Sequence, residues 1–170
     1  MADAVFDGWL AQDYRFVADL LRFQARLLGR APRSAQPVLA AGVVALVDEL
    51  AWFEQQATRR HLDLDVDPLP ATVAYGRLLD RLDGMDVAVA LAMLWTLERT
   101  YLDAWAYAAP GAPAYQEYVA HWTTPQFAGY VTALATAADA LGAGTDLDPL
   151  FNEVVDAEIR FWDMAWEGQA

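Results

Sequence analysis

The sequence predicts an all-α fold, a bundle of about seven helices in one domain spanning residues 1–170. Three observations carry this. Proline, glycine and capping residues divide the chain into segments of helix length. No segment reads as a strand. Two runs, residues 38–47 and 87–95, are apolar nearly all round, which places their helices at the centre of a bundle.

The first helix is expected over about residues 5–28, ending before Gly29 and Pro32. Ser34 is a candidate cap for the second, which continues to about His61. Residues 63–70 alternate aspartate with apolar residues and carry two prolines, so they read as a loop. Pro70 suits the first turn of a short third helix that ends near Asp83 and Gly84. Asp86 can cap a long fourth helix reaching Ala108, just before Pro110 and Gly111. Pro113 opens a short helix to about His121, and Thr124-Pro125 is a cap-plus-first-turn pair for the next, which fades into Gly142 and Gly144. The last follows Asp146 and runs to about Glu167. There is no internal repeat, low-complexity tract or long linker.

Composition narrows the function. The net charge is −13, from 24 acids against 11 bases, and every base is an arginine. Such a field repels phosphate backbones and anionic membranes, which argues against nucleic-acid and membrane partners and against a DNA-contacting regulator. Cysteine is absent, so disulfides and thiolate nucleophiles are too. Residues 1–10 hold two aspartates and no basic residue, unlike a secretory leader, and both apolar runs fall short of the ~20 residues that span a bilayer. The expectation is a cytoplasmic protein whose apolar runs are buried core helices.

The informative residues are acids on core-facing stripes, identified by what stands three and four positions away. Asp13 is flanked by Trp9, Leu10, Phe16 and Val17; Glu49 by Ala45, Leu46, Trp52 and Phe53. Glu98 is flanked by Leu94, Trp95, Tyr101 and Leu102; Glu158 by Val154, Val155, Phe161 and Trp162. Glu117 and Asp139 have mixed surroundings and read as solvated. A buried unpaired carboxylate costs several kcal/mol. The plain alternative is that each acid reaches water or an arginine at a helix edge. Four such acids on four helices are better explained by one aromatic-lined polar pocket.

A di-iron bundle centre would need histidines three residues after glutamates, and neither His61 nor His121 stands there. His61 falls near a helix end, a surface or capping position; His121 beside Trp122 suits packing or a partner hydrogen bond. No metal, haem or other cofactor is expected. What remains suits a flat, nitrogen-rich heterocycle, since carboxylates accept from ring amines and aromatic faces stack on the ring.

Two stretches carry a family resemblance: Phe6-Asp7-Gly8-Trp9-Leu10-Ala11-Gln12-Asp13-Tyr14 and Glu158-Ile159-Arg160-Phe161-Trp162-Asp163-Met164-Ala165. Between them lies Glu98-Arg99-Thr100-Tyr101-Leu102-Asp103-Ala104-Trp105. In these segments and their order the chain resembles the TenA family (thiaminase II-like, with a haem-oxygenase-like fold), in its cysteine-free branch.

The resemblance implies a pyrimidine site of thiamin salvage, where an exocyclic C–N bond is cleaved to give 4-amino-5-hydroxymethyl-2-methylpyrimidine. It implies Asp13 on the aminopyrimidine edge, Glu158 beside the reacting methylene, Tyr101 from the middle helix and Tyr75 as a wall from the third. Phe16 stands where many members have a tyrosine, Trp122 where an active-site tyrosine is common, and Leu97 where the nucleophilic cysteine sits. Glu98 beside Leu97 is the substitute. Glu98 and Glu158 are thus the catalytic candidates, with Asp13, Phe16, Glu49, Tyr75, Tyr101, Trp122 and Trp162 around a small-molecule pyrimidine. The resemblance also implies that the N-terminal helix usual in the family is missing ahead of the Gln12-Asp13-Tyr14 segment, and that the protein is a homo-oligomer, a dimer or tetramer. The rival reading is a non-catalytic protein of the same fold that binds a pyrimidine or similar heterocycle.

Overall fold

A computed structural model describes residues 2–144 and 146–167. The described residues form helices and no strand. Six helices are long: α1 (Asp3–Arg30), α2 (Gln36–Arg60), α3 (Pro70–Asp83), α4 (Val87–Ala108), α6 (Pro125–Leu141) and α7 (Asp148–Glu167). The segment expected to be one helix from Pro113 splits into a 3-10 turn, Pro113–Tyr115, and the seven-residue α5, Gln116–Trp122.

The helix signals act where expected, with one exception. Asp86 caps α4 by accepting from the Ala88 amide at 2.8 Å, and Thr124 caps α6 by accepting from the Phe127 amide at 3.1 Å. Pro70 opens α3, and His61 ends α2 in the left-handed conformation with φ 58°. Ser34 does not cap α2. The helix starts one residue later from Ala35 without a side-chain cap, and Pro37 sets its first turn.

The long helices close a ring in the order α1, α2, α6, α4, α7, α3 and back to α1, with α4 and α7 also reaching α1 across it. α1 presents Phe6, Leu10, Val17, Leu20, Phe23 and Leu27 to the core, a stripe at three- and four-residue spacing. Each such side chain contributes about 2 kcal/mol by leaving water. α4 is central as expected, with Ala88, Ala90, Leu91, Met93 and Leu94 all buried.

α2 departs from expectation. Of its apolar run 38–47 only Leu39, Gly42 and Leu46 are buried, while Val44 is 61% and Val47 52% exposed. Apolar composition cannot tell a helix surrounded by others from one on the rim, and α2 packs on α1 and α6 alone among the long helices. By length and hydropathy it is also apolar enough to cross a membrane. In this fold it instead turns Glu49 toward the acids of α1, α4 and α7.

Candidate active site

Asp13 is completely buried on α1. Its Oδ2 accepts from the Tyr101 hydroxyl of α4 at 3.0 Å, and its Oδ1 has no partner. Burial pushes its pKa well above the usual range; the Tyr101 hydrogen bond opposes this, and the charges of Glu49 and Glu158 add to it.

Glu158 of α7 is 4% exposed and doubly held. Its Oε2 accepts from the Tyr75 hydroxyl of α3 at 2.8 Å, and its Oε1 from the Trp162 indole, one turn along α7, at 3.0 Å. Burial raises its pKa to about 7, against the pull of those two donors. Glu98 of α4 is 6% exposed and accepts no side-chain hydrogen bond from a described residue. Burial, then the charges of Glu158 and Glu49, raise it to about 8.

Glu49 is the fourth acid. Its Oε1 accepts from the Trp122 indole at 2.7 Å, and its Oε2 pairs with His121 Nε2 at 2.8 Å. His121, the partner-bonding residue its position suggests, also lies flat on Trp52 at 3.8 Å. Among the described residues, every arginine ion pair is made with some other acid, so no arginine neutralises these four.

The aromatic residues tie the cluster together. The Phe16 ring packs on Tyr75 at 4.5 Å, and Tyr101 lies 6.0 Å from both Trp122 and Trp162. All nine residues singled out in the sequence therefore meet in one region between α1, α4 and α7, with α2, α3 and α5 supplying Glu49, Tyr75 and Trp122. Glu117 and Asp139 are exposed. A cavity of about 250 Å³ is lined by Phe6, Trp9, Trp105, Val119, Trp162 and Ala165, among others, and by none of the four acids. Its walls are apolar, and Trp162 is the wall it shares with Glu158. Among the described residues no three His, Asp or Glu side chains form a metal-binding group.

Two polar residues beside this region went unmarked in the sequence, the buried Gln24 of α1 and the half-buried Tyr130 of α6. Both Gln24 Oε1 and the Tyr130 hydroxyl are buried without a partner. Their signal is the same as the acids', polar groups on apolar stripes, but an amide or phenol there is commonplace.

The model of the TENA/THI-4/PQQC family matches residues 2–168. The chain belongs to this family. It is 29% identical over 180 residues to a soybean (Glycine max) protein named as a probable bifunctional TENA-E protein, covering 95% of this chain and 79% of that one. Among solved structures it is similar to a TenA homologue from Pyrococcus furiosus, with a TM-score of 0.89 and 27% identity, over 97% of this chain and 85% of the other. It also shares the fold of a protein from Silicibacter sp. described as a TenA family transcription regulator, at a TM-score of 0.86 and 19% identity, over 97% and 83% of the two chains. The all-helical fold read from the sequence is the TenA fold.

Proposed function

We propose that the protein is an aminopyrimidine aminohydrolase of thiamin salvage, hydrolysing the exocyclic C–N bond of an aminomethyl- or formylaminomethyl-pyrimidine to give the hydroxymethylpyrimidine. Family membership and the likeness to a TENA-E relative support a thiamin-related enzyme. The observation that carries the finer reading is the unequal pair of buried glutamates, Glu158 holding two side-chain donors and Glu98 none from a described residue.

That inequality divides the labour. Glu98, with no side-chain donor to support a charge, is the acid; Glu158, whose charge is supported by Tyr75 and Trp162, is the base. Asp13 Oδ1 is the free acceptor for the ring amine. With the amine substrate, Glu158 takes a proton from water as its oxygen attacks the methylene carbon. The C–N bond breaks, Glu98 gives its proton to the departing nitrogen, and ammonia leaves. A formylated amine would leave as formamide. The proton gained by Glu158 then restores Glu98, so the cycle balances without a cofactor.

The second reading is a pyrimidine-binding protein without turnover. It is favoured by Leu97, buried where the family nucleophile stands, and by Trp122, whose indole is committed to Glu49. Purified protein incubated with aminomethylpyrimidine, with ammonia release followed beside a binding titration, separates the two. Turnover supports the hydrolase; tight binding without ammonia selects the binder.

A further inference from the structure

The third helix begins at Pro70 without a cap of its own, because Leu69 at the N-cap offers no side-chain acceptor. What holds its start comes from α1. Gln12, buried next to Asp13 in the chain, accepts on Oε1 from the Leu69 amide at 2.9 Å and from the Thr72 hydroxyl at 2.6 Å. Its Nε2 donates to the Asp67 carbonyl at 3.0 Å. A backbone amide only donates and a carbonyl only accepts, so these bonds fix which end of the side chain is which. Thr72 is also buried, and its oxygen lies 3.5 Å from the Met164 sulfur of α7. One contact thus joins α1, α3 and α7.

One turn along each of these helices lies a layer of rings. Tyr75 follows Thr72 by three residues, Phe16 follows Gln12 by four, and Phe161 precedes Met164 by three, spacings that keep each pair on one helix face. The Phe16 ring packs 4.5 Å from Tyr75 and 5.3 Å from Phe161. Such apolar contacts are not directional and do not aim the Tyr75 hydroxyl. Its bond to Glu158 Oε2 at 2.8 Å is directional, and weakens steeply once α3 slides or turns against α7. Resting on the reading of Glu158 as the base, we propose that Gln12 is a positioning residue, which fixes the start of α3 against α1 and so keeps the Tyr75 hydroxyl on Glu158.

α7 packs on α4, α3 and α1, and each brings a titratable group toward Glu158: Glu98 from α4, Tyr75 from α3 and Asp13 from α1. Trp162 donates from α7 itself. The two donors favour the charged carboxylate, and the two acids, when ionised, oppose it. Of these four groups only Tyr75 stands on the helix that Gln12 holds. Loss of the clamp therefore acts on Glu158 by taking away a donor, and its proton affinity rises.

The test is carboxyl 13C NMR of full-length, glutamate-labelled protein across pH, with the Glu158 signal assigned by its loss in Glu158→Gln. Gln12→Met keeps the size of the side chain and removes all three bonds; Asp67 and Leu69 are exposed, so water can meet their freed groups. The Glu158 midpoint should rise by about one pH unit, as it should in Tyr75→Phe, and the double variant should rise no further. Where Gln12→Met fails to fold, Thr72→Val carries the same comparison, and Thr72→Ser should keep the wild-type midpoint. The acid limb of kcat/KM should move up with the Glu158 midpoint. A lower Tm with an unmoved midpoint overturns the proposal, because a clamp that only stabilises the fold would give that result. A midpoint that climbs further in the double variant overturns it as well. A shifted midpoint in a protein whose wild type releases no ammonia upholds the positioning role and sinks the hydrolase reading alone.

Discussion

Asp13 spends one oxygen on Tyr101 and keeps the other free in a fully buried setting, which makes it the residue most exposed to a change of a single atom. Asp13→Asn places an amide donor where an acceptor must face the ring amine. Affinity for aminomethylpyrimidine, measured by titration calorimetry, should fall about tenfold to a hundredfold, the cost of leaving a buried donor facing another donor. Binding as tight as wild type removes Asp13 from the ring edge. The four acids were legible in the sequence because a carboxylate between Trp9 and Phe16, or Leu94 and Tyr101, is physically expensive and so demands an explanation. Their partners were not so legible. Tyr75 reaches Glu158 from 83 positions away, and Tyr101 reaches Asp13 from 88, distances over which helix periodicity says nothing. Gln24 escaped notice among Leu20, Leu21, Leu27 and Leu28 because a neutral amide on an apolar stripe carries no charge that demands an explanation.

At the scale of the element, local chemistry was readable and placement was not. Asp86, Thr124, Pro70 and His61 mark helix ends through short-range bonds and fixed backbone angles, and the structure uses each of them. Ser34 failed because Pro37, three residues on, sets the first turn without needing a cap. α2 looked central because valine, leucine and alanine fill its first half, yet Val44 and Val47 face outward. An apolar helix face left on the rim needs a cover. A second copy of the chain is the cover we expect, making the protein a homo-oligomer in solution. Light scattering should give a dimer or larger assembly, and Val44→Glu should shift it toward monomer. A monodisperse wild-type monomer contradicts this.

At the scale of the whole molecule, the acid pocket ties stability to pH. Glu98 and Glu158 rise from 4.5 to about 8 and about 7 on folding, so the native state keeps protons that the unfolded chain releases. Their contribution is complete below pH 4.5 and is lost as pH climbs through about 7 and about 8. The ligand-free protein should therefore melt at higher temperature at pH 5 than at pH 8. Glu98→Gln, which resembles the protonated acid, should flatten that slope and raise Tm at pH 8; a Tm that rises with pH in the wild type contradicts the buried-acid account. The central claim is that Glu98 moves a proton during C–N hydrolysis, and the most direct measurement of it is kcat and Kd of Glu98→Gln on one preparation with aminomethylpyrimidine. The variant keeps size and polarity but cannot give a proton, so Kd should stay within about threefold while turnover falls about a hundredfold or more. Turnover near wild type with unchanged Kd would contradict the account and remove Glu98 from the chemistry.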